Sequence, residues 1–93
     1  MKKQGESIIL NQVRDYLRLS GWFVIRFQQG LGSHRGLSDL LAVKGGRHVF
    51  IEVKVPAGKQ SEYQIKFESE ILQHGGEYVL VRCLEDVLFL GVK

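Results

Sequence analysis

The stretch DLLAVKGGRHVFIEVK, residues 39–54, decides the fold. Two runs of strand-forming residues flank Gly45–Gly46, the signature of a two-residue hairpin turn. DLLAV, 39–43, reads as one strand and HVFIEVK, 48–54, as its antiparallel neighbour. A turn centred on the glycine pair matches residues at equal distance on either side, so Asp39 falls opposite Glu52. Alternation puts Val49, Ile51 and Val53 on one face and Phe50, Glu52 and Lys54 on the other. Two carboxylates then meet across neighbouring strands, with an ammonium two positions along. Like charges directly opposite one another destabilise a sheet, so a structural role gives no reason to gather them. A hard cation does: Mg²⁺ takes one or two carboxylates together with waters and phosphate oxygens.

Outward from this hairpin, the rest of the chain reads as alternating elements. GESIILNQVRDYLRLSG, 5–21, has helical spacing, with Ile9, Val13 and Leu17 in one stripe, Leu10 and Tyr16 flanking it, and Gly21 ending it. WFVIRF, 22–27, reads as a strand, and QQGLGSHRGLS, 28–38, as a glycine-rich loop. SEYQIKFESEILQHGG, 61–76, is a second helix in which Ser61 and Gln64 can form a capping box. Its apolar stripe is Phe67 and Ile71, with Tyr63 a further candidate, and Gly75–Gly76 stops it. EYVLVR, 77–82, is a fourth strand. In the tail, Leu84 to Val87 suits a helical turn and Leu88 to Val92 a last strand. The order α-β-β-β-α-β is an α/β fold with a mixed central sheet flanked by helices. The helix between the third and fourth strands is a crossover, which makes those strands parallel.

Composition bounds the reading. At 93 residues the chain suits a single domain, 1–93, which buries only about 60–65% of its unfolded surface. No stretch approaches the roughly 18 apolar residues of a membrane span, and the amino end has no signal-peptide pattern, so the expected setting is intracellular and cytoplasmic, in a bacterium or a virus-infected host cell. The single cysteine, Cys83, rules out an internal disulfide, suits a reducing compartment and is expected to be a small buried hydrophobe. Net charge is +3, unevenly spread. Up to Arg35, six basic residues stand against two acidic; from Gly36 onward, seven stand against eight. A basic amino-terminal third hints at a polyanion partner. Lys2, Lys3, Arg26, Gln28, Gln29, His34 and Arg35, on the tail, the first strand and the loop, are the residues placed to contact DNA without reading base edges. Ser38, at the loop's end, joins that set; it suits a turn better than a nucleophile, since no histidine is placed to activate it. No motif for base reading is present.

Several candidates carry a plainer reading beside the functional one. Glu6 continues the apolar stripe of the first helix, three residues before Ile9, and points inward. It is either a first-turn acid complementing the helix dipole or part of a metal site. Gln64 is either the cap partner alone or a group that reaches in from the helix start to position the attacking water or Lys54. His34 either touches phosphate or is solvated on its loop. His48 and His74 suit structural or exposed positions, and no Cys/His spacing makes a zinc site. Trp22 and the phenylalanines 23, 27, 50 and 67 are core or interface, with Phe50 placed to pack beneath the acids.

With these residues in view, the chain resembles the PD-(D/E)XK nuclease superfamily. The acid-x-lysine element is Glu52-Val53-Lys54; Ser38 stands where that superfamily's name has proline before Asp39. More closely, the span from GLSD at 36–39 to LEDV at 84–87 is similar to the VRR-NUC family, in which the strand is followed by a glycine, a serine and a helical glutamine, here Gly58, Ser61 and Gln64. The resemblance runs from about residue 5 to 90. It implies a metal-dependent endonuclease that hydrolyses phosphodiester bonds, with Asp39, Glu52, Lys54 and Gln64 catalytic. It further implies Mg²⁺, or Mn²⁺ in its place, held by Asp39, Glu52 and the Val53 carbonyl, with Glu6 ligating through water or hydrogen-bonding to a metal-bound water. Small stand-alone members of the family imply a homodimer acting on four-way (Holliday) junctions, with no organic cofactor and no membrane partner. The alternatives are a nuclease for other branched or nicked DNA in repair or restriction, and a non-catalytic nucleic-acid-binding module.

Overall fold

The computed structural model describes residues 4–28, 30 and 32–91. Helix α1 spans Gln4–Leu19, β1 Phe23–Arg26, β2 Leu40–Lys44, β3 Arg47–Val53, α2 Glu62–Gln73 and β4 Glu77–Val81. A 3-10 helix over Leu84–Gly91 closes the described chain. The strands form one sheet in the order β1-β2-β3-β4. The first three run antiparallel and β4 joins β3 in parallel, as the α2 crossover requires.

The central hairpin has the expected register, from Lys44 with Arg47 out to Leu40 with Ile51. Gly45 and Gly46 sit at φ 57 and 82, the left-handed pair that a two-residue turn of the twisted hairpin demands. Alternation then sorts the sheet's faces. Leu40, Ala42, Val49, Ile51, Val53 and Val81 are fully buried and pack with Leu10, Val13 and Leu17 of α1. The opposite face carries Phe50, Glu52 and Tyr78, with α2 laid over it through Phe67. The Phe67 ring lies 5.6 Å from Phe50 and 6.3 Å from Tyr78, both edge-on.

Three expectations are corrected. The tail forms no last strand over the described residues 88–91. The 3-10 helix instead buries Val87 and Leu90 against α1, and Trp22 Nε1 and the Tyr16 hydroxyl donate to the Leu90 and Leu88 carbonyls at 2.8 and 3.0 Å. Those bonds satisfy carbonyls that a strand would have needed a partner strand to pair. Cys83 is exposed, because β4 ends at Val81 and the chain turns there. Asp86 Oδ2 accepts the Arg82 N–H at 2.8 Å and so caps the turn. Tyr63 lies outside the buried stripe of α2, exposed at the helix start, while Phe67 is the buried residue of that helix.

Candidate active site

Glu52 is the centre of the site. It sits on β3 between the buried Ile51 and Val53, with no exposed surface of its own. Lys54 and Gln64 both reach its carboxylate. Lys54 Nζ lies 3.6 Å from Oε2, the same-face i+2 neighbour that alternation requires. Gln64 Nε2 donates to the same oxygen at 2.9 Å.

Gln64 reaches there because of how α2 begins. Ser61 Oγ accepts the Gln64 N–H at 3.2 Å, and Gln64 Oε1 accepts the Ser61 N–H at 2.8 Å. The amide oxygen is thus spent on the cap and the amide nitrogen on Glu52. One rotamer therefore completes the cap and reaches in from the helix start to Glu52.

Asp39 lies one residue before β2 and is 5% exposed. Its backbone is held on both sides: its carbonyl accepts the Phe27 N–H at 2.9 Å, and its N–H donates to Ile51 at 3.0 Å. Since Ile51 already pairs with Leu40, two successive residues meet one on β3, as at a bulge. The hairpin register therefore slips at Asp39 instead of running on to Glu52. The carboxylate turns to the β3 backbone, where Oδ2 accepts the Val53 N–H at 2.8 Å. Asp39 is thereby fixed on the peptide link that follows Glu52.

The phenol of Tyr78, on β4 beside Phe50, reports both acids. Burial first, then the Glu52 carboxylate, push its pKa well above the ordinary tyrosine range, against the Gln60 N–H that donates to its oxygen; Glu68 and Asp39 add to the rise. Gln60 Nε2 bridges Tyr78 Oη at 3.2 Å and Glu68 Oε1 at 3.1 Å. Sequence reading missed this network, because the register of a parallel pair is set by a crossover and not by a turn that can be read.

Glu6 is buried as expected (7% exposed), and its Oε2 accepts the Val55 N–H at 3.4 Å, just past Lys54. Among the described residues no three His, Cys, Asp or Glu side chains are arranged to hold a metal ion. The donors at the strand ends are the two buried carboxylates Asp39 and Glu52, all hard oxygen. That set fits Mg²⁺, which is held by one or two carboxylates with solvent completing its shell.

Of the residues expected to contact DNA, Arg26, Gln28, His34 and Arg35 are exposed. Lys2, Lys3 and Gln29 lie outside the described residues. Ser38 departs from the expectation: it is fully buried, and its hydroxyl donates to the Leu40 carbonyl at 3.1 Å. It anchors the start of β2 and presents nothing to the surface. The loop after Lys54 is held by a residue that sequence reading passed over. Arg82 Nη1 donates to the carbonyls of Val55, Pro56 and Gly58 at 3.1, 3.0 and 2.6 Å.

A mixed sheet flanked by helices, with an aspartate, a glutamate and a lysine at adjoining strand ends and a glutamine from the crossover helix, defines a nuclease of the restriction-endonuclease-like class. The chain is similar to a solved structure described as a VRR_NUC domain, with a TM-score of 0.79 over 95% of each chain at 20% identity. That likeness bears out the expected fold. The family model of the archaeal Holliday junction resolvase, Hjc, matches residues 1–82. The chain belongs to this family, a relative of the PD-(D/E)XK nucleases. None of the curated proteins matches it.

Proposed function

We propose that the protein is a Mg²⁺-dependent endonuclease that resolves four-way DNA junctions as a homodimer. The observation that carries the reading is the buried Glu52 carboxylate held jointly by Lys54 and Gln64, with Asp39 fastened to the next peptide. A fully buried acid is costly unless it is paired, and this one is paired at the strand end to which the resemblance assigns the chemistry. Asp39, Glu52 and the Val53 carbonyl would hold the metal, with Glu6 at its edge. The bound ion supplies a water of lowered pKa and offsets charge on the phosphoryl oxygens.

The chain's own groups do the remainder. Lys54 donates to the developing negative charge on the phosphoryl group and orients the attacking water. Gln64 keeps Glu52 Oε2 in one position, so no reorganisation is needed during reaction. Water adds to phosphorus as one bridging P–O bond breaks; the water gives up a proton to solvent and the departing oxygen takes one up from it, leaving a phosphate monoester and a hydroxyl end. The exposed Arg26, Gln28, His34 and Arg35 contact the sugar-phosphate backbone, which positions an enzyme without reading sequence.

Membership of a junction-resolvase family favours the branched substrate, and a two-fold dimer suits two symmetric cuts. Exposed apolar residues on the edge strand and the 3-10 helix, Phe23 at 66% and Phe89 at 56%, offer material for such an interface. An intracellular setting belongs to the same proposal.

The test is nicking of a four-way junction beside a linear duplex, in Mg²⁺, in EDTA and with Lys54→Ala. Cleavage of the junction alone, abolished by EDTA and by the substitution, supports the reading. Equal cleavage of duplex moves the substrate to nicked or generic DNA. Binding without cleavage in Mg²⁺ or Mn²⁺ leaves a binding module. Sedimentation at micromolar concentration checks the dimer.

A further inference from the structure

We propose that the cleft between loop residues 33–36 and α2 holds one unpaired nucleotide of a branched DNA, its base against Tyr63 and Phe67 and its phosphate toward Arg35 and Lys66. The inference rests on the nuclease reading and names what the same surface recognises.

The cleft measures about 750 Å³ and is walled by Ser33, His34 and Arg35 on one side and by α2 on the other. That size is within the range of sites for small organic ligands. Its floor is aromatic: the His34 ring lies 5.6 Å from Phe67, and Tyr63 stands half exposed at the rim. The rim is largely cationic, with Arg35 and Lys66 facing the single acid Glu70. Arg35 donates to the Tyr63 hydroxyl and brings its guanidinium carbon 4.9 Å from the ring centroid. The tyrosine is therefore braced before any ligand arrives. Aromatic faces beside guanidinium and ammonium groups are what a base and its phosphate require.

The cleft adjoins the acids. Phe67 is shared between the two, since its other side meets Phe50, two residues before Glu52. Tyr63 immediately precedes Gln64 on α2. The loop wall is pressed close: Gly36, at φ +77, leaves no room for a Cβ, which would lie 2.1 Å from the Tyr63 carbonyl. A base inside an intact stack cannot enter a cleft. An unpaired base at a branch, or one released where pairs open at the exchange point of a four-way junction, enters with the least unstacking cost. The site thus favours branched over linear DNA without reading sequence.

Two measurements test this without metal or cleavage. In the first, thymidine 5′-monophosphate is titrated into ¹⁵N-labelled protein. Shifts confined to Tyr63, Lys66, Phe67 and the 33–36 loop are expected, and shifts elsewhere or none overturn the site. In the second, fluorescence anisotropy in EDTA compares a fork bearing one unpaired thymidine at its branch with a fully paired duplex. Tyr63→Ala is expected to weaken fork binding about tenfold more than duplex binding, the scale of one lost base–aromatic stack. Lys66→Ala is expected to act in the same direction. Equal weakening on both DNAs reduces the cleft to general electrostatics and overturns the proposal. Nucleotide binding at the cleft in a protein that cleaves no DNA would remove the nuclease reading and leave the site standing. Junction cleavage with no response at the cleft would do the reverse.

Discussion

One amide joins the cap of α2 to the buried acid: Gln64 Oε1 accepts the Ser61 N–H at 2.8 Å while Gln64 Nε2 donates to Glu52 Oε2 at 2.9 Å. Helix start and acid position are therefore one structural quantity. Gln64→Glu keeps an oxygen for the cap but sets a second carboxylate against Glu52. Nicking activity is expected to fall at least tenfold while the helix survives. Ser61→Ala removes only the cap, at a cost of about 1 kcal/mol, with activity changed far less. Urea denaturation and nicking rates on the two variants separate the roles. Equal activity losses at equal stability would show that the bond to Glu52 is incidental.

Lys54 is the cation placed against a carboxylate that has no solvent exposure. Lys54→Ala is expected to lower the nicking rate at least ~10²-fold, the scale of one preorganised electrostatic group. It also leaves a buried charge with less compensation, which destabilises by about 3 kcal/mol in fully buried pairs and by less here, because Lys54 is partly exposed. Adding Glu52→Gln to Lys54→Ala should restore much of the stability and none of the activity. Paired thermal melts and nicking assays of the single and double variants check both halves.

The hairpin was legible because Gly45–Gly46 ties turn type to register, and alternation then assigned Phe50, Glu52 and Lys54 to one face. The cap was legible from Ser61 and Gln64. The slip at Asp39 was not, because a bulge depends on how β1 and β3 clamp the residue from both sides. Nor was the tail: VLFLGV has strand-like composition, but the carbonyls of Leu88 and Leu90 find donors in Tyr16 and Trp22, more than sixty residues earlier. Cys83 was misplaced for a related reason. Composition describes a residue's preference, and the end of β4 at Val81 decided its exposure.

Tyr78 turns the site's charge into a pH signature. Burial and the Glu52 carboxylate raise its pKa in the folded state, relative to about 10 in the unfolded chain. A raised pKa means the folded state holds the proton more tightly. The associated stability is complete below pH ~10 and is lost progressively as pH climbs above it. Tyr78→Phe is expected to flatten that alkaline loss, read by urea denaturation between pH 8 and 11. Spectrophotometric titration should show one of the three tyrosines ionising late, and that late step should vanish in Tyr78→Phe. An unchanged titration would mean that Tyr78 is not the phenol whose ionisation is delayed by burial and the neighbouring carboxylates.

Arg82 holds the loop that leaves the site. Its Nη1 donates to three carbonyls between Val55 and Gly58, while the Lys54 N–H is fixed to the Val81 carbonyl at 2.9 Å. The turn after Lys54 is thus tied to the end of β4 at both its start and its middle. Arg82→Ala frees three carbonyls, which water can partly satisfy because the site is only part-buried, so the expected loss is about 1–3 kcal/mol. Catalysis should suffer beyond that loss, since Lys54 and the Glu6–Val55 contact both hang on this turn. Arg82→Lys retains the charge and a three-donor ammonium but loses the guanidinium's fixed planar fork and its length, and should recover stability better than it recovers the nicking rate. Hydrogen exchange supplies the deciding measurement: faster exchange of the Val55 and Gly58 amides in Arg82→Ala, with β2 amides unchanged, is the result that ties the lost activity to this loop. Uniform acceleration across the sheet would instead assign Arg82 to global stability alone.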